Sequence, residues 1–204
     1  MLAEPLAVPG AWAFTPKQWP DARGTFLEWF KADVVHEAVG HPFVLRQVNH
    51  SVSSRGTLRG IHFADVPPSQ AKYVYVTHGA AVDFVIDVRV GSPTFGIVDA
   101  VVLDAVDRRA VYVGEGLGHA VLSLTDDLHL NYLVTQPYAP TREHGLHPLD
   151  AKVDLRGHPL FPDDLEPLLS DKDAQAPSLA DALAGGLLPS YDDCQGLYAR
   201  LAGQ

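Results

Sequence analysis

From residue 43 to residue 135 the chain alternates between short β-branched or aromatic runs and clusters of Gly, Pro, Ser or Asp. The runs cover 43–49, 57–63, 71–77, 81–89, 96–103, 110–113, 119–124 and 128–135. Such runs read as strands, and turn signals at this spacing predict an all-β sandwich or barrel. No helix-length segment separates them, which argues against parallel β/α units.

The flanks have a different pattern. Residues 1–20 read as an extended arm with a turn at 8–10 and a strand over 11–15; residues 21–24 read as a turn. A short strand over 26–30 puts Phe26 and Glu28 on one face and Leu27 and Trp29 on the other. A short helix over 31–39 is stopped by Gly40, a residue suited to a left-handed C-terminal position. Past 135, the stretch 148–167 is rich in Pro and Asp and predicts an irregular wrap. Ser178 starts a helix that Gly185-Gly186 ends, and a last helix covers 192–201. The chain is therefore read as one domain, 1–204, with an arm (1–42), a β core (43–135) and a wrap with C-terminal helices (136–204).

At 204 residues and 47% hydrophobic content, the chain can bury one full core. It has no eighteen-residue apolar run, and Met1-Leu2-Ala3-Glu4-Pro5-Leu6 lacks the basic and apolar pattern of a signal peptide, so a cytoplasmic location is expected. Cys194 is the sole cysteine, which rules out an internal disulfide and a Cys-based zinc pattern. A formal charge of −10 disfavours nucleic acid as a partner but leaves room for a local basic pocket.

Alternation indicates which polar side chains can meet. In 57–63, Leu58, Gly60 and His62 share one face while Arg59, Ile61 and Phe63 share the other. For Arg59 and His62 to serve one site, Gly60 must allow a bulge, or Arg59 must serve another subunit. Gln47, Asn49 and Ser51 fall together, as do Asp83, Asp87 and Arg89; His129 and Asn131 lie opposite Tyr132. The plainest reading of Asp83 and Asp87 is that they pair with Arg89.

Arg59-Gly60-Ile61-His62, Gln70-Ala71-Lys72 and Asp87-Val88-Arg89-Val90-Gly91-Ser92-Pro93-Thr94-Phe95-Gly96 resemble the dTDP-4-dehydrorhamnose 3,5-epimerase family. The resemblance extends to Asp21-Ala22-Arg23-Gly24-Thr25-Phe26, Gln47-Val48-Asn49-His50-Ser51, the segment 145–150 and Leu169-Ser170-Asp171-Lys172-Asp173. It implies a cupin-type jelly-roll β-barrel with short peripheral helices, and a homodimer that exchanges N-terminal strands. The implied substrate is a dTDP-linked 4-keto-6-deoxyhexose, handled without a metal or organic cofactor.

Carried over by position, His62 is the general base, Tyr132 the general acid and Lys72 the cation beside the keto oxygen. The carboxylate that orients His62 falls at Asp173, with Asp171 second. Arg23, Phe26, Glu28, Gln47, Asn49, Arg59, His119 and Tyr138 match positions that line the nucleotide-sugar site. Where the family reads Pro-Xaa-Gly-Phe-Xaa-His-Gly-Phe, this chain has Gly114-Glu115-Gly116-Leu117-Gly118-His119-Ala120-Val121; Ala64 replaces the usual Gln after His-Phe. These departures imply a reshaped wall and resemble the antibiotic-sugar branch.

The chemistry suits these residue types. Protons at C3 and C5 of a 4-keto sugar are acidified by the carbonyl between them. Imidazole as a class titrates near working pH, a carboxylate fixes its tautomer, and a positive charge stabilises the developing enolate. Arg23 and Arg59 can make forked bonds to phosphate, and Phe26 or Tyr138 can stack on a base. Two other readings are a metal-dependent cupin using His50, His62 and His119, which lacks the usual His-Xaa-His pair, and a non-catalytic sugar-nucleotide-binding barrel.

Overall fold

The computed structural model describes residues 1–203. In chain order it contains β1 (Leu2–Pro5), β2 (Ala11–Thr15), β3 (Gln18–Asp21), β4 (Gly24–Leu27), α1 (Ala32–Val39), β5 (Gln47–Ser53), β6 (Leu58–Ala64), β7 (Lys72–His78) and β8 (Ala80–Ile86). There follow β9 (Val98–Asp104), β10 (Ala110–Val113), β11 (Gly118–Ser123), β12 (Leu128–Val134), β13 (Glu143–Gly145), α2 (Asp171–Ala174), α3 (Leu179–Ala184) and α4 (Tyr191–Leu201). The strands form a six-stranded sheet, β1-β2-β10-β7-β12-β5, a five-stranded sheet, β13-β6-β11-β8-β9, and a separate β3–β4 hairpin. All pairings between these strands are antiparallel.

Strand alternation sorts side chains into three apolar layers. Val74, Val76, Val85, Val101, Val121 and Leu130 meet between the two sheets. The opposite face of the five-stranded sheet carries Ile61, Phe63, Phe84, Ile86 and Leu122, which the tail covers with Leu146, Leu155, Phe161, Leu165 and Leu179. The irregular wrap thus buries one sheet face. On the six-stranded sheet, Phe14, Tyr73, Tyr75 and Tyr112 are covered by Val35 of α1 with Phe43, Trp29 and Phe30. Each fully buried side chain of this size contributes about 1.5–3 kcal/mol relative to exposure.

Gly40 ends α1 in the left-handed region at φ 85°, and its N–H donates to the His36 carbonyl. The three tail helices start at Ser170, Ser178 and Ser190, each side chain accepting from a backbone N–H three residues on. No described helix is long and apolar enough to cross a membrane.

The strand expected over 81–89 stops at Ile86, β13 forms inside the segment read as a wrap, and three further features depart from the sequence reading. The strand expected over 26–30 stops at Leu27, because β4 pairs only with β3 and the chain then turns into α1. Glu28 therefore lies outside a strand. The strand expected over 43–49 is instead β5, since its pairing with β12 runs from Gln47↔Val134 to Ser53↔Leu128. Finally, α2 is a single turn too short to leave a helical period in the sequence.

Candidate active site

Strict alternation would put Arg59 and His62 on opposite faces. Along β11, however, His119 pairs with His62 and Val121 with Arg59, so β6 takes three steps where β11 takes two. This is a β-bulge, and it turns both side chains toward one cavity. The bulge depends on Gly60: its φ is +116°, and an added Cβ would collide with the His119 carbonyl and lie 2.9 Å from Ala120 Cα.

A cavity of about 730 Å³ opens among β5, β6, β7, β11, β12 and the segment around α2. His62, Lys72, Tyr132, Asp173, Gln47, Asn49, Arg59, His119 and Tyr138 all line it. Tyr132 and Leu130 reach it from the six-stranded sheet, and His62 and His119 from the five-stranded one. His62 Nε2 lies 2.7 Å from Asp173 Oδ1, and Nδ1 makes no hydrogen bond among the described residues. Asp173 is buried while Asp171 is exposed, so the carboxylate on His62 is the former. A second pair sits beside it: His119 Nε2 is 2.8 Å from Asp83 Oδ2, and the other oxygen, Oδ1, has no hydrogen-bond partner among the described residues.

The expected pairing of Asp83 with Arg89 does not occur. Asp87 occupies that guanidinium with both oxygens, at 2.9 and 2.8 Å, while Asp83 points between the sheets toward His119. Nor does a single chain bring Arg23, Phe26 or Glu28 to the cavity. Arg23 is 90% exposed and pairs with Asp21, Phe26 is 66% exposed and packs on Trp19, and Glu28 lies 3.8 Å from Lys31. All three belong to the hairpin or its exit. His50 points away from the cavity, hydrogen-bonded to Asn131 Oδ1 at 2.8 Å. Among the described residues no three His, Cys, Asp or Glu side chains are placed to hold a metal ion.

Glu143, Gln70, Ser170 and Lys172 also line the cavity and were not marked as site residues in the sequence. Glu143 sits on a three-residue strand with no alternation to reveal it. Lys172 adjoins the candidate carboxylate, so proximity alone could have flagged it.

The electrostatics differ from group to group. Burial pushes the Lys72 ammonium below the ordinary lysine range, opposed by the charges of Glu143 and Asp83. Burial, helped by Glu143, pushes the Tyr132 phenol up against the opposing effect of Arg59, which keeps it protonated and able to donate. For Asp173, burial pushes the carboxyl up, but hydrogen bonds from His62, Ser170 and the Gly60 amide outweigh it and hold the group below the usual range. The cavity thus combines an imidazole on an ionised carboxylate, a protonated phenol and a buried lysine, a set suited to moving a proton next to a carbonyl.

The family model described as dTDP-4-dehydrorhamnose 3,5-epimerase matches residues 5–181. A dTDP-4-dehydrorhamnose 3,5-epimerase of Mycolicibacterium smegmatis is 54% identical over 195 residues, covering 96% of this chain and 94% of that protein. The solved structure of ChmJ, a 3'-monoepimerase from Streptomyces bikiniensis in complex with dTDP-quinovose, superposes with a TM-score of 0.93 at 48% identity, covering 98% of this chain and 99% of that one. The rmlC epimerase of Mycobacterium tuberculosis superposes at 0.94 with 47% identity, covering 98% and 100%. On sequence and architecture together, this chain belongs to the dTDP-4-dehydrorhamnose 3,5-epimerase family.

Proposed function

We propose that the protein inverts a dTDP-4-keto-6-deoxyhexose at C3, C5 or both, in the supply of deoxysugars for antibiotic-type natural products. The observation that carries this reading is that His62, held by Asp173, and Tyr132 line one cavity from different sheets, with Lys72 beside them. His62 Nδ1 takes the proton from one face of the ring. The electron pair delocalises into the 4-keto group as an enolate next to the Lys72 ammonium, and Tyr132 returns a proton to the opposite face. No electron leaves the substrate, so the balance closes without a redox partner or organic cofactor.

Arg59, Gln47, Asn49 and His119 are assigned to the nucleotide sugar, and Tyr138 to stacking on thymine. The two sheets are read as the halves of a cupin-type jelly roll. The hairpin is read as acting in trans: in a homodimer, the exposed Arg23 and Phe26, with Glu28, would complete the site of a second copy. Exposed Trp19, Val44, Leu45, Val48 and Val52 supply apolar surface for that contact.

Incubation with dTDP-4-keto-6-deoxyglucose in deuterated water tests the function. Deuterium is expected at C3, C5 or both, accompanied by inversion, and mapping the labelled carbons by NMR assigns the positions. Recovery of wholly protonated sugar would leave only the binding reading.

A further inference from the structure

We propose that Ser170 is a positioning residue that locks the Asp173 carboxylate in the orientation His62 requires. This rests on the His62–Asp173 reading above and extends it to a residue that carries no charge. Asp173 uses both oxygens: Oδ1 lies 2.7 Å from His62 Nε2, and Oδ2 accepts from the Ser170 hydroxyl at 2.9 Å. The same hydroxyl accepts from the Asp173 backbone N–H at 3.1 Å. Side chain and backbone of Asp173 are thus tied to one oxygen.

The segment leading to Ser170 is itself fixed to the start of β6. Leu58 N–H donates to the Leu168 carbonyl at 3.0 Å, and Leu168 N–H to the Gly56 carbonyl at 2.8 Å. Ser170 therefore transmits the position of the strand bearing His62 to the carboxylate that serves it.

The molecule contains its own comparison. Ser178 and Asp181 at the start of α3 make the same two bonds, hydroxyl to carboxylate at 2.6 Å and backbone N–H to hydroxyl at 3.0 Å. There the carboxylate is exposed and touches no histidine, so the motif serves only to start a helix. At α2 the helix is a single four-residue turn, and the carboxylate is buried beside the cavity. A cap on so short a helix adds little helical structure. Its consequence here is the direction in which Asp173 points.

Glycine caps a helix nearly as well as serine but has no hydroxyl, so Ser170→Gly separates capping from carboxylate positioning. Its kcat is expected to fall by roughly 10–100-fold, by analogy with the loss on removing the hydrogen-bond partner that orients a metal-bound histidine, with KM within a few-fold of wild type. The sign of the pH effect follows from the lost donor. Without that hydrogen bond to its anion the dyad binds a proton more tightly, so the acid limb of kcat/KM moves to higher pH. Ser170→Thr should restore both rate and limb, and Ser178→Ala should change neither.

An unshifted acid limb and wild-type kcat in Ser170→Gly, alongside an impaired Asp173→Asn, would overturn the Ser170 role while leaving the dyad intact. Full turnover by Asp173→Asn would instead remove the dyad reading, and the Ser170 role with it.

Discussion

Replacing His62 with Gln is expected to lower kcat/KM by about 10²–10⁴-fold, the range attributed to a positioned general base. Gln has no basic nitrogen, yet its amide Nε2 extends about as far as the imidazole Nε2 and can still donate to Asp173 Oδ1, which His62 Nε2 now approaches to 2.7 Å. The variant therefore avoids leaving a buried carboxylate unpaired, a change that on its own would destabilise the fold. Binding of dTDP should stay within a few-fold of wild type, since Gln47 and Tyr138 line the cavity from other elements and Arg59, though on β6 with His62, keeps its own side chain. Turnover within ten-fold of wild type, measured by initial rates on the keto sugar, would exclude His62 as the base.

Lys72→Met is expected to lower kcat by about 10²–10³-fold, with a smaller change in KM, because its charge matters most when the enolate forms. Methionine fills the space of the aliphatic stem without the ammonium. The pH dependence has a definite sign. In the proposed mechanism catalysis needs the protonated lysine; burial depresses its pKa below the ordinary value of 10.5, so activity should be lost as pH rises through the depressed value. The alkaline limb therefore lies below that of an ordinary lysine. Glu143 opposes the depression, so Glu143→Gln should move the limb lower still. A limb that stays put in Glu143→Gln would show that another group sets it.

Much of the fold was legible because alternation reports burial directly. In β7, Lys72, Val74 and Val76 face the space between the sheets while Tyr73 and Tyr75 pack under α1, and the sequence shows that two-residue period openly. Termini set by pairing partners were less visible. β5 runs to Ser53 because β12 extends that far, a fact contained in another part of the chain.

The site shows the same division. His62, Lys72, Tyr132, Arg59 and Asp173 carry recognisable chemistry inside recognisable motifs. Strict alternation denied the meeting of Arg59 with His62, and only the permissive backbone of Gly60 marked where the bulge could form. Glu143 and the role of Ser170 were hidden because the first lies on a three-residue strand and the second caps a helix of a single turn, elements placed by pairing with β6 far away in the sequence. The placement of Asp83 on His119 was likewise a tertiary result: β8 and β11 set their register, and Arg89 was satisfied by a nearer carboxylate.

The most direct measurement is the fate of configuration in Tyr132→Phe incubated with dTDP-4-keto-6-deoxyglucose in deuterated water. With His62 intact and the opposite-face donor removed, the sugar should acquire deuterium at the reacting carbon while that carbon keeps its original configuration. Inversion at the wild-type rate by this variant would contradict the opposed placement of imidazole and phenol on which the mechanism depends.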